Sequence, residues 1–278
     1  MRNVVRSCGV ALAFAVAGGG FAQAGVVITM QNGGTAAEPA GKGETMYLDQ
    51  NRLKVSTARG GMIFRDDLHK VWNVDEEHHS YHELNPDTMK QMQAEMEQAR
   101  QQMEQRLHSM PPEQRARIEA MLAQQGLGDP SKAKPLPPVT YEKAGPDKTV
   151  GKWSCTPYRV KGAMLENEEF CIAPLKELGL TRDDLKPFIA LGDFMKQMPM
   201  GGRARSDAAF NFDAQTKAIG FEGLPVQTMN YGDNGKIDYQ TTITSVQRES
   251  IAAETFEIPA GYTKQEIPMG RPPGAHAP

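Results

Sequence analysis

The sequence is short of several things, and each shortage removes a class of protein. Basic residues are not in excess: 31 Lys and Arg face 34 Asp and Glu, a formal net charge of −3. Nothing in that balance suits a partner made of phosphates, so nucleic acid is not expected. Long apolar runs are missing too. The one candidate lies near the N-terminus, over roughly residues 8–22, below the about 20 residues that a membrane-spanning helix needs. There is no recognisable nucleophile motif, no phosphate-cradling glycine loop and no C-x-x-C spacing, so no catalytic residue, metal ligand or cofactor is assigned. No internal repeat of fixed period appears either. Cysteine is scarce, with three in the chain.

What is present begins with the leader. MRNVVRSCGVALAFAVAGGGFAQA places Arg2 and Arg6 before a short apolar run and closes on Ala22 and Ala24. That is the pattern of a secretory signal peptide, 1–24, with cleavage between Ala24 and Gly25. The mature chain is then expected in the periplasm or outside the cell, not spanning a membrane. Losing Arg2 and Arg6 leaves 29 basic residues (31 minus 2) against 34 acidic, a net charge of −5.

Cys8 goes with the leader, and Cys155 and Cys171 remain. An even pair in an oxidising compartment is most simply a disulfide. KWSCTPYRV and ENEEFCIA both look extended and flank KGAML, a plausible hairpin loop. If facing positions sum to 326, Cys155 meets Cys171, Val160 meets Glu166 and Trp153 meets Ala173. Closing a loop of this length stabilises by about 3 kcal/mol in the chain-entropy model.

Residues 25–266 read as one α+β domain. From Gly25 to Leu84 short β-rich runs are separated by turn residues, including Asp49, Gln50 and Asn51, which suggests an antiparallel meander. Helix signals take over at Asn85-Pro86-Asp87, where Asn85 can cap and Pro86 suits the first helical position. One helix should run to about His108, and PEQRARIEAMLAQQ should form a second, making 85–125 a helical insertion. Residues 126–138 form a Pro- and Gly-rich linker. Strands resume at VTYEKA. A later helical stretch, LTRDDLKPFIALGDFMKQM, carries Thr181 and Asp184 at capping-box spacing, with Pro187 delaying its regular part. The runs AFNFDA and KAIGFEG follow without an assigned element. Asn234-Gly235 between two extended runs is a hairpin signal. The tail, 267–278, is expected to be disordered, and the mean hydropathy of −0.52 with 19 prolines fits a chain that is not packed throughout.

Two constellations stand out. In the first helix Met89, Met92, Met96, Ala99, Met103, Leu107 and Met110 fall within roughly an 80° arc at 100° per residue. Three readings stay open. The stripe is the underside of a helix lying along a sheet; or it is a compliant lid whose methionines face a greasy ligand; or its thioethers hold a soft metal such as Cu(I). A second group, Met195, Met198 and Met200, reads as a flexible helix end. The other constellation is DEEHHSYH. His78 and His82 would be about 13 Å apart on a strand at about 3.3 Å per residue, too far for one ion, so they read as surface residues of a hairpin. Pairing positions that sum to 153 there sets Trp72 opposite Tyr81 and Lys70 opposite Glu83. His69 on the adjacent strand is the residual partner for a shared site.

The order of these pieces resembles the secreted bacterial family known as domain of unknown function 4412. MIFRDDLHKVWNVDEEHHSYHEL before the Met-rich helix carries the likeness, together with YEKAGPDKTVGKWSCTPYRV, its Gly-x-Trp-x-Cys-x-x-Tyr core and a closing ETFEIPAGY. The family has no established activity, so no catalytic residue is carried over. Its members look like relatives of the periplasmic lipoprotein-carrier fold, which implies a curved antiparallel sheet, or incomplete β-barrel, covered by helices. The resulting expectation is a hydrophobic or amphiphilic ligand, a lipid or an acylated lipoprotein, held between sheet and helices. A copper-binding or stress protein and a ligand-free structural envelope protein are the alternatives.

Overall fold

The structure, a computed structural model, describes residues 24–33, 43–125, 138–162, 167–197, 211–232 and 234–267. The leader up to residue 23, linker residues 126–137, Met198, Met200 and the tail from residue 268 lie outside the described residues. The N-terminal half is the expected meander: β1 (Gly25–Gly33), β2 (Glu44–Asp49), β3 (Arg52–Thr57), β4 (Gly60–Arg65), β5 (Lys70–Asp75) and β6 (Ser80–Leu84), each antiparallel to the next. Gln50 takes a positive φ in the tight β2–β3 turn, and the Asp49–Arg52 ion pair closes it. α1 (Pro86–His108) starts where Asn85 caps it: the Asn85 side chain accepts from Asp87 N and Thr88 N at 2.9 Å each, and Thr88 Oγ1 accepts from Asn85 N in return. α2 (Pro112–Gln125) follows.

The second half contains β7 (Thr140–Lys143), β8 (Lys148–Val150), β9 (Trp153–Lys161), β10 (Glu168–Pro174), α3 (Lys186–Met195), α4 (Phe212–Ile219), β11 (Gly223–Tyr231), β12 (Ile237–Glu249) and β13 (Thr263–Gln265). Thr181 and Asp184 do form the capping box, at the start of a 3-10 turn over Arg182–Leu185 that leads into α3. α4 is an element the sequence reading did not assign. It is signed at both ends, by Asn211 as N-cap and by Gly220, at φ 85°, as the left-handed stop.

All thirteen strands belong to one sheet, in the order β13-β6-β5-β4-β3-β2-β1-β12-β11-β10-β9-β7, with β8 also on β9. The two halves meet where β1 pairs with β12, from Gly25 opposite Glu249 to Gly33 opposite Gln240. β7 and β13 stand at opposite ends of that order, so the barrel does not close. Laid flat, twelve strand positions would span about 55 Å at about 4.8 Å each. Instead one continuous apolar cluster draws on Leu84 of β6 and Val71 of β5 from one end and on Val150, Trp153 and Cys155 from the other. The sheet therefore curves, and this cluster lies on its concave face.

The helix across that face is not the one expected. α3 and the turns before it supply Leu175, Leu178, Leu180, Leu185, Leu191 and Phe194 to the inner cluster. Phe194 packs on Phe64 with ring centroids 5.7 Å apart. α1 meets the core through its first two turns, with Met89 in the inner cluster and Met92 half-buried against it. Beyond Met92 no described residue of α1 joins an apolar cluster. The convex face has its own smaller patches. Phe256 covers Ile63 and Trp72, and the other patch is centred on Val160, Phe170 and Ile172. Ile267, placed in the tail by sequence, packs half-buried against the inner cluster.

The Asn234-Gly235 hairpin joins β11 and β12; the two hairpins given a register also exist, and both registers sit two residues from the expected ones. In β9–β10 facing positions sum to 328: Val160 meets Glu168 and Cys171 meets Pro157. In β5–β6 they sum to 155: Trp72 faces Glu83 and Val74 faces Tyr81. A shift of two preserves which face each side chain takes, whereas a shift of one would invert it. Cys155 and Cys171 accordingly remain on one face and form the disulfide, diagonally, with Cα atoms 5.4 Å apart.

Candidate functional site

The two-residue period of the strands builds the concave face in rows. Register aligns Val26, Leu48, Leu53, Phe64, Val71 and Leu84 from β1 to β6. None of these six is more than 7% exposed, and Phe194 packs over this row at Phe64. Two residues along each strand, on the same face, the next row reads Ile28, Met46, Val55 and Met62. Here burial relaxes. Met46, Val55 and Met62 are half-buried while still packed against the inner cluster. Met30, opposite Ile243 of β12, continues the apolar surface one step further. Met92 of α1 and Met195 at the end of α3 are likewise half-buried against the same cluster. The result is an apolar shelf, contiguous with the core, whose half-buried members are mostly thioethers.

Placement of the residues singled out from sequence is graded. Met89 is 4% exposed and is core. Met92 is half-buried against the inner cluster. Met96 is 48% exposed, and Met103 and Met110 are half-buried away from the sheet clusters. The stripe is thus not one inward-facing line: its first two members turn to the sheet and the rest lie along an arm. Met195 joins the shelf, while Met198 and Met200 lie outside the described residues. The sequence reading did not single out Met30, Met46, Val55 and Met62. Their signal was the alternation M-x-L in β2, L-x-V in β3 and M-x-F in β4.

His78 and His79 occupy the four-residue turn between β5 and β6. His78 Nδ1 lies 2.8 Å from Asp75, whose carboxylate raises the imidazole pKa and is itself held below the usual range by donors from His78. His82 Nδ1 faces the Gln265 carbonyl at 3.2 Å, and His69 is an exposed left-handed residue ending a 3-10 turn. These histidines do not converge. Among the described residues no group of three His, Cys, Asp or Glu could hold a metal ion.

Charge concentrates instead on the other side of the buried row, toward the β2–β3 turn. Asp184 would be pushed up by burial, yet Arg248, at 2.6 and 2.8 Å, and Thr181 donate to it and hold it below the usual carboxylate range. Arg248 also donates to the Gly179 carbonyl at 3.1 Å, tying β12 to the chain that leads into α3. An open cleft of about 370 Å³ lies between the β2–β3 turn and α3, lined by residues including Gln50, Asn51, Asp66, Arg182, Lys186 and Asp193. Its Arg182 pairs with Asp213 and Glu222, Lys186 with Asp183, and Asp193 with Lys196. Its main charges are therefore already answered within the protein. Among the described residues no helix is long and apolar enough to cross a membrane.

The comparisons with known proteins give a family and little chemistry. The family model described as Domain of unknown function (DUF4412) matches residues 83–262. No curated protein matches the chain. A solved structure described as that of an uncharacterized conserved protein from Thermus thermophilus is similar over 89% of this chain and 92% of its own, at 7% identity and a TM-score of 0.40.

Proposed function

The chain belongs to the family described as Domain of unknown function (DUF4412), and from that premise, which brings neither a reaction nor a ligand, we propose a non-catalytic binding role outside the cytoplasm. The ligand class is a hydrophobic or amphiphilic molecule, or the acyl chain of an acylated protein, laid on the methionine shelf. The observation that carries this reading is the half-buried row Met46, Val55 and Met62, with Met30, Met92 and Met195 half-buried against the same inner cluster. A surface meant only to pack would be buried like the row beside it. Methionine suits a surface that repacks around varied shapes. Covering about 200 Å² of it would gain on the order of 5 kcal/mol before ordering costs, so useful affinity requires the ends of α1 and α3 to close on the ligand.

Export rests on the leader pattern, and the fold is compatible with it. Gly25, the proposed first mature residue, is also the first residue of β1. A Cβ there would lie 2.5 Å from Ile251 and 2.8 Å from the Leu48 carbonyl, so the strand starts at a tightly fitted position that cleavage would leave intact.

The test is displacement of an environment-sensitive anilinonaphthalene probe by a long-chain fatty acid, on the wild type and on Val55→Glu and Met62→Glu. Saturable probe binding, weakened at least tenfold in both variants while the melting transition persists, is the expected result. A wild type that binds no probe, or variants that bind it equally, would leave the ligand-free structural role. The thioether-metal reading is weaker. Met89 and Met96 are about 10.5 Å apart along the helix axis at about 1.5 Å per residue, and Met89 is committed to the core.

A further inference from the structure

The sulfur atoms of this protein divide sharply by access. Cys155 and Cys171 are bonded to each other and are 1% and 0% exposed, so among the described residues no thiol is offered to solvent. The other sulfurs among the described residues are thioethers, and along α1 their accessibility changes in two helical turns. Met89 is 4% exposed inside the inner cluster, Met92 is half-buried, and Met96 is 48% exposed. Met121 of α2 reaches 49%. The far end of α1 is braced by its neighbour, not by the sheet: Arg115 Nε donates to the Leu107 carbonyl at 2.9 Å and its Nη2 to the His108 carbonyl at 3.0 Å. The stripe beyond Met92 is therefore held as helix while its sulfurs stay outside the core.

Thioether oxidation is governed by approach, because a thioether has no protonation state that could be tuned to suppress it. We propose that the outer turns of α1, with Met96 as the leading residue, are a sulfoxidation site for peroxides that reacts ahead of the methionines seated in the sheet. The Met96 sulfur lone pair attacks one peroxide oxygen, an S–O bond forms and the O–O bond breaks. The departing hydroxide takes up the proton left on the transferred oxygen and leaves as water. Sulfur loses two electrons and the peroxide gains them. The product is a polar, chiral sulfoxide where an apolar side chain stood. On this arm that change rewrites the stripe without opening the core, since no inner-cluster contact depends on Met96. The device holds whether or not the shelf takes an amphiphile.

Limited treatment of the mature, disulfide-intact protein with hydrogen peroxide tests it, read by tryptic peptide mapping and by melting temperature at each dose. Cleavage after Lys90 and Arg100 puts Met89 and Met96 on different peptides, and fragment ions separate Met92 from Met96. The expected result is Met96 sulfoxide forming at least tenfold faster than Met89 sulfoxide, with the melting temperature unchanged while Met96 converts. A ratio below ten would show that the first turns of α1 are not docked as described. A melting temperature that falls in step with Met96 conversion would show that the stripe is part of the core. Either outcome overturns the proposal.

Discussion

Glu83 shows how much one side chain can tie together at the rim of this sheet. Its carboxylate accepts from Trp72 Nε1 at 2.8 Å, Asn85 Nδ2 at 2.8 Å, Lys264 Nζ at 3.1 Å and Lys70 Nζ at 3.4 Å. It thereby links β5, β6, the α1 cap and β13. Burial would raise its pKa, but these donors win and lower it to about 2. A carboxylate lowered by folding contributes stability that is complete above its unfolded pKa of about 4.3 and disappears as pH falls through the folded value. Glu83→Gln is therefore expected to cost about 2 kcal/mol at pH 7 in urea denaturation. The gap from wild type should shrink steadily from about pH 5 to about pH 2, and a gap independent of pH would contradict the assignment. The Lys70–Glu83 proximity was readable in the sequence, and the Trp72–Glu83 bond was not. Alternation fixes which face a residue takes, while the turn fixes register. Here Asp75 Oδ1 accepts from Glu77 N and His78 N at 3.0 Å each, organising a four-residue turn that sets the pairing two residues from the expected register.

At the scale of elements, α3 takes the place across the concave face that pattern assigned to α1. The methionine period of α1 correctly predicted a helix with those ends, cap included, because period and caps are local properties. It could not say what the stripe touches. α3 carried the stronger packing signal in KPFIALGDFM, a short segment apolar nearly all round, which is how an enclosed helix reads. Pro187 and the capping box drew attention to its start instead of its burial. The contrast makes a direct test. Met89→Ala should cost about 2–5 kcal/mol, as for other buried large-to-small changes, and Met96→Ala should stay within about 0.5 kcal/mol. Equal effects in thermal or chemical unfolding would restore the inward-facing stripe. For the candidate site, the sequence named Met92 and Met195 but not Met30, Met46 or Met62, because a shelf assembled from four strands has no contiguous motif.

For the whole molecule, the α+β class, the two blocks of strands and the cysteine pair were all legible in the sequence, since each rests on composition or on neighbours close along the chain. The seam between β1 and β12 was not, because no local pattern reports a pairing across about 200 residues. The proposed maturation has a whole-molecule signature in sulfur. Exported protein, denatured without reductant, should show no free thiol, and two per chain after reduction. A retained leader would keep Cys8 and show one thiol before reduction.

The seam also sets a timetable. Synthesis proceeds from the N-terminus, so β1 emerges with one side matched by β2 and the other bare until β12 is made. Contacts of such long separation form late and slowly, and a bare strand edge invites pairing with another molecule. This protein must cross its most aggregation-prone interval before its last long strand is in place, and its folded yield should depend on how well that edge is sheltered until then.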